Sequence, residues 1–143
     1  MAGMSKYLAL ALFNMALNPS RAAFTPPAGL WIALHTAPPS DSTYGTEATY
    51  LGYARQTIES LTATTLAETA GGDVNIKVTN GAAITFPPST SATGQAVTNW
   101  AIWDDATVGN GNILFSGSLA TPRLVSAGDS VVIPELAITL LIK

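Results

Sequence analysis

NWAIWDDATVGNGNILFSGSL, Asn99–Leu119, is the stretch that decides the fold. Its first residues complete an apolar strand, Val97–Trp103, and Asn110–Asn112 supplies a turn into a second strand, Ile113–Ser116. With successive side chains on opposite faces, Trp100 and Ile102 share the face turned away from Trp103. A second stretch, LWIALHTAPP at Leu30–Pro39, reads the same way, as an apolar strand Leu30–Thr36 halted by Pro38-Pro39. Neither stretch carries a recognisable reactive group.

Outward from these two, short strands and turns continue. Pro39–Gly52 reads as a polar loop and Tyr53–Leu61 tends to a strand. Ala70–Asp73 holds a Gly-Gly turn, and Val74–Val78 alternates as a half-buried strand. Asn80-Gly81 has the signature of a tight hairpin into Ala82–Phe86. Pro87-Pro88 begins a Ser/Thr loop to Gly94. Leu124–Val125 and Val131–Ile133 flank Gly128, and Glu135–Ile142 alternates as a last strand. The fold class expected is mainly β, an antiparallel β-sandwich or jelly-roll-like domain with one N-terminal helix. Residues 1–143 read as a single domain, with the helix over 5–18 and the sandwich over 30–142. Trp31, Trp103, Phe115, Leu136, Ile138 and Leu140 are its expected core.

The helix is set by a Ser5 cap at its start and by Asn18-Pro19 at its end. Tyr7, Leu8, Leu10, Leu12, Phe13, Met15 and Leu17 wrap almost its whole circumference. Such a helix is either covered by partners, through Leu8, Leu12, Phe13 and Leu17, or plugs one end of its own sandwich. The seven-residue apolar run Tyr7–Phe13 is weakly like a signal peptide. Asn14 interrupts it and no good small-residue cleavage site follows, so the segment is expected to belong to the mature fold.

Charged residues are only 10 % of the 143, against roughly 25 % in an ordinary soluble domain. Mean hydropathy is positive at +0.32. Much of the surface is therefore expected to be Thr, Ser, Asn and Gly, or covered by other proteins. Net charge is −3, and the six Lys and Arg are scattered singly. No basic patch exists to neutralise phosphates, so neither nucleic acid nor an anionic membrane is an expected partner. No apolar run is long enough to span a bilayer. Cysteine is absent, which removes disulfides, thiolate nucleophiles and Cys-ligated zinc.

Candidate chemistry is thin. The one histidine, His35, lies within a strand and lacks a recognisable nucleophile partner; there is no GxSxG. Asp104, Asp105, Asn110 and Asn112 could offer oxygen ligands to calcium, but their spacing is not that of an EF-hand and the same residues make ordinary turns. Asp41, Glu47, Glu59 and Glu68 are isolated in sequence, and nothing there pairs two of them as an acid and a base. Trp31, Trp100 and Trp103 could stack sugars, though core packing suits Trp31 and Trp103 better. Gly109, Gly111 and Gly117 make no phosphate loop. No catalytic residue, cofactor or metal is expected.

With these segments assembled, the chain resembles a family of tailed-bacteriophage virion proteins, often labelled tail-fibre proteins, some of them like head-decoration (cement) proteins. The resemblance is carried by SKYLALALFNMALN, LWIALHTAPP, GTE at Gly45–Glu47, YARQ at Tyr53–Gln56 and ITFPPST at Ile84–Thr90. NWAIWDDATVGNGNILFSGSL and AGDSVVIPELAITL at Ala127–Leu140 complete it. It covers residues 5–142 except Ser60–Asn80. It implies a non-enzymatic virion protein, assembled in the host cytoplasm. The compact length suits a capsid decoration protein on the outer surface of the head, bound to the major capsid protein and to itself as a homotrimer. A tail, collar or fibre adaptor and a host-glycan-binding module are the alternatives.

Overall fold

The computed structural model describes residues 3–18, 25–40, 43–66 and 75–142. In chain order the elements are β1 (Gly3–Met4), α1 (Lys6–Ala16), β2 (Trp31–Ala37), β3 (Thr46–Glu47), β4 (Gln56–Thr57) and β5 (Leu61–Leu66). There follow β6 (Asn75–Asn80), β7 (Ile84–Thr85), β8 (Gln95–Trp103), β9 (Ile113–Val125), β10 (Val132–Ile133) and β11 (Thr139–Ile142). The fold is mainly β, consistent with the antiparallel sandwich and N-terminal helix read from the sequence.

Alternation in β2 and β8 organises the large sheet, which runs β1-β9-β8-β2, with β3 and β4 both paired to the free side of β2. Ile32 and Leu34 face Ile102 and Trp100 across the pair and enter the main core. Ala33, Ala101, Trp103 and Ile113 form a second buried cluster on the opposite face. Trp100 and Ile102 thus share the face away from Trp103, as the alternation requires. Two smaller sheets, β11-β6-β5 and β10-β7, complete the architecture. Phe86, Val131, Ile133, Ile138 and Leu140 join Ile32, Leu34, Trp100 and Ile102 in one main core.

β9 is far longer than the Ile113–Ser116 strand expected. It carries Pro122 because its pairing with β8 jumps from Ser118↔Asn99 to Arg123↔Val97, so the proline lies in a bulge with no ladder bond to lose.

Three local expectations are corrected. Pro39–Gly52 is not merely a loop: it contains β3, and Ala48 and Tyr50 are buried. Asn80-Gly81 is no hairpin, since β6 pairs with β5 and β11 while β7 pairs with β10. The fully buried Asn80 side chain donates to the Ala82 and Pro134 carbonyls and accepts from the Ile138 backbone N–H, clamping the turn before β11. That turn removes Leu136 from the core. Leu136 is 58 % exposed with φ of 63°, so β11 starts only at Thr139. Ile138 and Leu140 are buried as expected, Phe115 is half-buried against the core, and Trp31 is half-buried. The Ala70–Asp73 turn and Val74 lie outside the described residues.

α1 is tied to the large sheet at its first turn. The Ser5 hydroxyl accepts from the Leu8 N–H at 3.2 Å, and the Ser5 N–H donates to the Leu114 carbonyl at 2.8 Å. Leu8 is buried in the protein's own core and Leu12 packs against it. Of the four helix residues expected to meet a partner, Leu8 is therefore not available, whereas Phe13 and Leu17 are 53 % and 70 % exposed.

Phe86→Ala should cost about 3–5 kcal/mol in a denaturant titration, because it opens a cavity at a fully buried site. Leu136→Gly should instead stabilise by up to about 1 kcal/mol, since glycine adopts the left-handed backbone without strain.

Candidate functional site

The densest polar arrangement lies on the Trp103 face of the large sheet. β3 runs antiparallel to the end of β2 and sets Glu47 opposite His35. Gly45, with φ of 68°, turns the chain into β3 where a side chain would collide with the Ala37 carbonyl. Arg55, just before β4, returns to the same place. Its Nε and Nη2 donate to the two Glu47 carboxylate oxygens, each at 2.8 Å. Its Nη1 donates to the carbonyls of Asp105 and Asn110 at 2.7 and 3.0 Å. The guanidinium lies 3.9 Å from the centre of a Trp103 ring, and the Arg55 side chain is wholly buried. The pair is bidentate, stacked and desolvated, a combination that suits arginine and that lysine could not supply.

Neighbours extend this node. The Tyr53 hydroxyl donates to Glu47 at 2.9 Å and accepts from the Leu34 backbone N–H at 3.1 Å. Burial, reinforced by the Glu47 charge, raises its pKa well above the usual phenol range. His35 stacks on Trp103 with ring planes 7° apart. Both imidazole nitrogens and the Trp103 indole N–H are buried without a hydrogen-bond partner. Desolvation pushes the His35 pKa down to about 4; the Glu47 charge opposes this and the Arg55 charge adds to it. His35 is thus a neutral ring in a packed stack, and no hydroxyl is bonded to it as a general base would require.

The 104–112 loop uses its acids internally. Asp104 accepts from the Asn112 backbone and side-chain N–H groups at 2.6 and 3.0 Å. Asp105 accepts from the Thr107 N–H at 2.6 Å, and this bond lowers its pKa. Gly111, with φ of 82°, lets the backbone pass against both aspartates. Among the described residues no three metal-binding side chains converge. Glu47 is committed to Arg55 and Glu59 is exposed, while Asp41 and Glu68 lie outside the described residues. Trp100 lies in the main core, Trp103 under Arg55 and Trp31 half-buried, so the tryptophans make no exposed stacking platform.

Nothing in the local pattern pairs Arg55 with Glu47. The available signal was a lone arginine in an extended Tyr-Ala-Arg-Gln, near a Gly-Thr-Glu, in a chain with only six basic residues.

A family model described as podophage GP4 fiber I protein gp80 matches residues 3–141. The chain belongs to that family. It is therefore a member of a tailed-phage virion structural family, as its motifs suggested. No curated protein matches it. The segments that carried the resemblance meet in space. Gly45–Glu47, Tyr53–Gln56, the His35 strand and the Trp103–Asn112 loop together form the Arg55 node. Ile84–Thr90 and Ala127–Leu140 likewise bond to each other, through β7 with β10, Phe86 N–H to Val131 carbonyl and Ser89 N–H to Asp129 carbonyl.

Glu47→Leu and Arg55→Met should each cost about 3–5 kcal/mol, since either leaves a buried charge unpaired. The double variant should cost less than the sum, though the Asp105 and Asn110 carbonyls would remain unpartnered; a double-mutant cycle reads this. Because His35 titrates lower in the fold than its usual 6.5, its contribution is full above pH 6.5 and lost as pH falls towards 4. The loss should approach roughly 3 kcal/mol, and His35→Phe should flatten that part of the stability–pH curve.

Proposed function

We propose that this protein is a non-enzymatic component of a phage tail, acting as a short fibre or adaptor subunit through surface contacts. The carrying observation is the match of residues 3–141 to a fibre family. The structure adds two supports. Polar groups capable of chemistry are committed to holding the fold, as with Glu47, Asp104 and Asp105. And α1, fastened at its first turn, presents Leu10, Phe13, Met15 and Leu17 to solvent at 46–70 % exposure. A fixed helix with an apolar outer side is suited to burial against another virion protein.

Cementing of the head is the second reading, favoured by the low charge content, which suits a surface covered by neighbouring subunits. A homotrimer, with the major capsid protein as its partner, belongs to that reading. In either role attachment by an oligomer gains from multivalency, because later contacts are intramolecular.

Purified particles separate the two. A tail role predicts a band far substoichiometric to the major capsid protein, with antibody label at the tail. A copy number comparable to that of the capsid protein, with label over the head, would replace the tail role by cementing.

A further inference from the structure

The chain contains two Asn-Gly pairs, and the fold treats them oppositely. An asparagine followed by glycine is open to attack on its own side chain. The glycine backbone nitrogen can reach the asparagine Cγ, and no Cβ obstructs the approach. At Asn80-Gly81 both groups are held. The Asn80 side chain is fully buried and bonded to the Ala82 and Pro134 carbonyls and the Ile138 N–H. The Gly81 N–H donates to the Ser60 carbonyl at 3.1 Å. Asn110-Gly111, by contrast, is exposed on the 104–112 loop. Among the described residues nothing accepts from the Gly111 N–H, and the Asn110 side-chain amide has no partner.

The peptide unit joining Asn110 to Gly111 carries a second feature. Its carbonyl oxygen accepts from Arg55 Nη1 at 3.0 Å. From these two observations we propose that Asn110 is a self-modifying site, where the buried Arg55 promotes conversion of the amide to aspartate and isoaspartate. The reaction begins when hydroxide removes the Gly111 amide proton. Negative charge is then shared between that nitrogen and the Asn110 carbonyl oxygen. A guanidinium already bonded to this oxygen stabilises the charge where it develops. Asp104 and Asp105 stand close to Gly111 and oppose that charge. Their carboxylates, however, are engaged by Asn112 and Thr107, whereas Arg55 touches the oxygen itself.

The Gly111 nitrogen next bonds to Asn110 Cγ, and the Cγ–Nδ2 bond breaks. Nδ2 takes a proton from water and leaves as ammonia, so a succinimide ring closes. Water then opens the ring. Attack at Cγ gives aspartate; attack at the former backbone carbonyl carbon gives isoaspartate, with the main chain routed through Cγ. Water is the sole co-reactant, and nothing is oxidised or reduced. Either product sets a new carboxylate beside the Arg55–Glu47 pair. Isoaspartate also lengthens the main chain between residue 110, held by Arg55, and residue 112, held by Asp104. The inference holds for either position on the virion, so its failure leaves the tail reading untouched.

The test is incubation of the full chain at mildly alkaline pH, native and in denaturant. Digestion at acid pH and tandem mass spectrometry then follow the conversion of each asparagine. In the native chain Asn110 should convert roughly tenfold faster than Asn80 or more, because reaction at Asn80 waits on opening of a buried clamp. In denaturant the two should convert at similar rates, with Asn110 no faster than it is in the fold. Arg55→Met should slow conversion at Asn110 while Asn80 stays protected. Loss of Asn80 protection would report an unfolded variant, and the comparison of native with denatured wild type then decides. The inference is overturned if Asn110 converts more slowly in the fold than in denaturant, or if Asn80 keeps pace with it in the native chain. It is overturned equally if a folded Arg55→Met converts Asn110 at the wild-type rate.

Discussion

The buried Arg55–Glu47 pair is the constraint on which this molecule's second face depends. β3 and β4 are each two residues long, too short to hold their places by ladder bonds. Arg55 joins them, and its remaining donors reach across to the carbonyls of the 104–112 loop. One side chain thereby fixes the edge of the large sheet to the β8–β9 connection. Removing two charges from water is costly, and a buried pair seldom stabilises a fold more than an apolar replacement of the same shape would. Its value is placement: the fork fits one carboxylate orientation and two carbonyl directions, so the loops have one arrangement rather than several.

That placement propagates outward. Arg55 over Trp103, Trp103 against His35 and Tyr44 make a stack running outward from the sheet. The orphaned nitrogens of His35 and Trp103 are the cost of sealing this stack. A neutral His35 is compatible with the neighbouring guanidinium, and a charged one is not.

What the sequence made legible follows physical range. The strand over Val97–Trp103 and the Ser5 cap are legible, because both signals lie within a few residues. Asn80-Gly81 misled because the same dipeptide serves a tight turn or a buried amide clamp, and the choice rests on the Pro134–Ile138 turn more than fifty residues away. Leu136 misled in the same way: an alternating pattern continued through a residue that the clamp forces into a left-handed turn. The bonds from Arg55 to the Asp105 and Asn110 carbonyls span 50 and 55 residues, and single-sequence patterning carries no distances. The fragments that suggested the family nonetheless include both halves of these contacts.

The low charge content finds its account in this division of faces. One side of the large sheet is used up by the main core. The other carries the Arg55 node, while α1 is tied to β9 through Ser5 and reaches the core at Leu8. Among the described residues, six of the twelve exposed large apolar side chains lie on α1 or beside it, at Met4, Tyr7, Leu10, Phe13, Met15 and Leu17; the others, Tyr44, Leu51, Val108, Leu124, Val132 and Leu136, come from other parts of the chain. A free monomer has no use for that concentration, and a helix fastened this firmly cannot turn it inward. Burial against a neighbouring virion protein removes it from water at little further entropic cost, since the helix is already ordered. On the reading proposed here the rigid anchorage of α1 and its apolar outer side are therefore one adaptation: the fold spends its ordering energy before assembly, so that attachment to the particle has less to overcome.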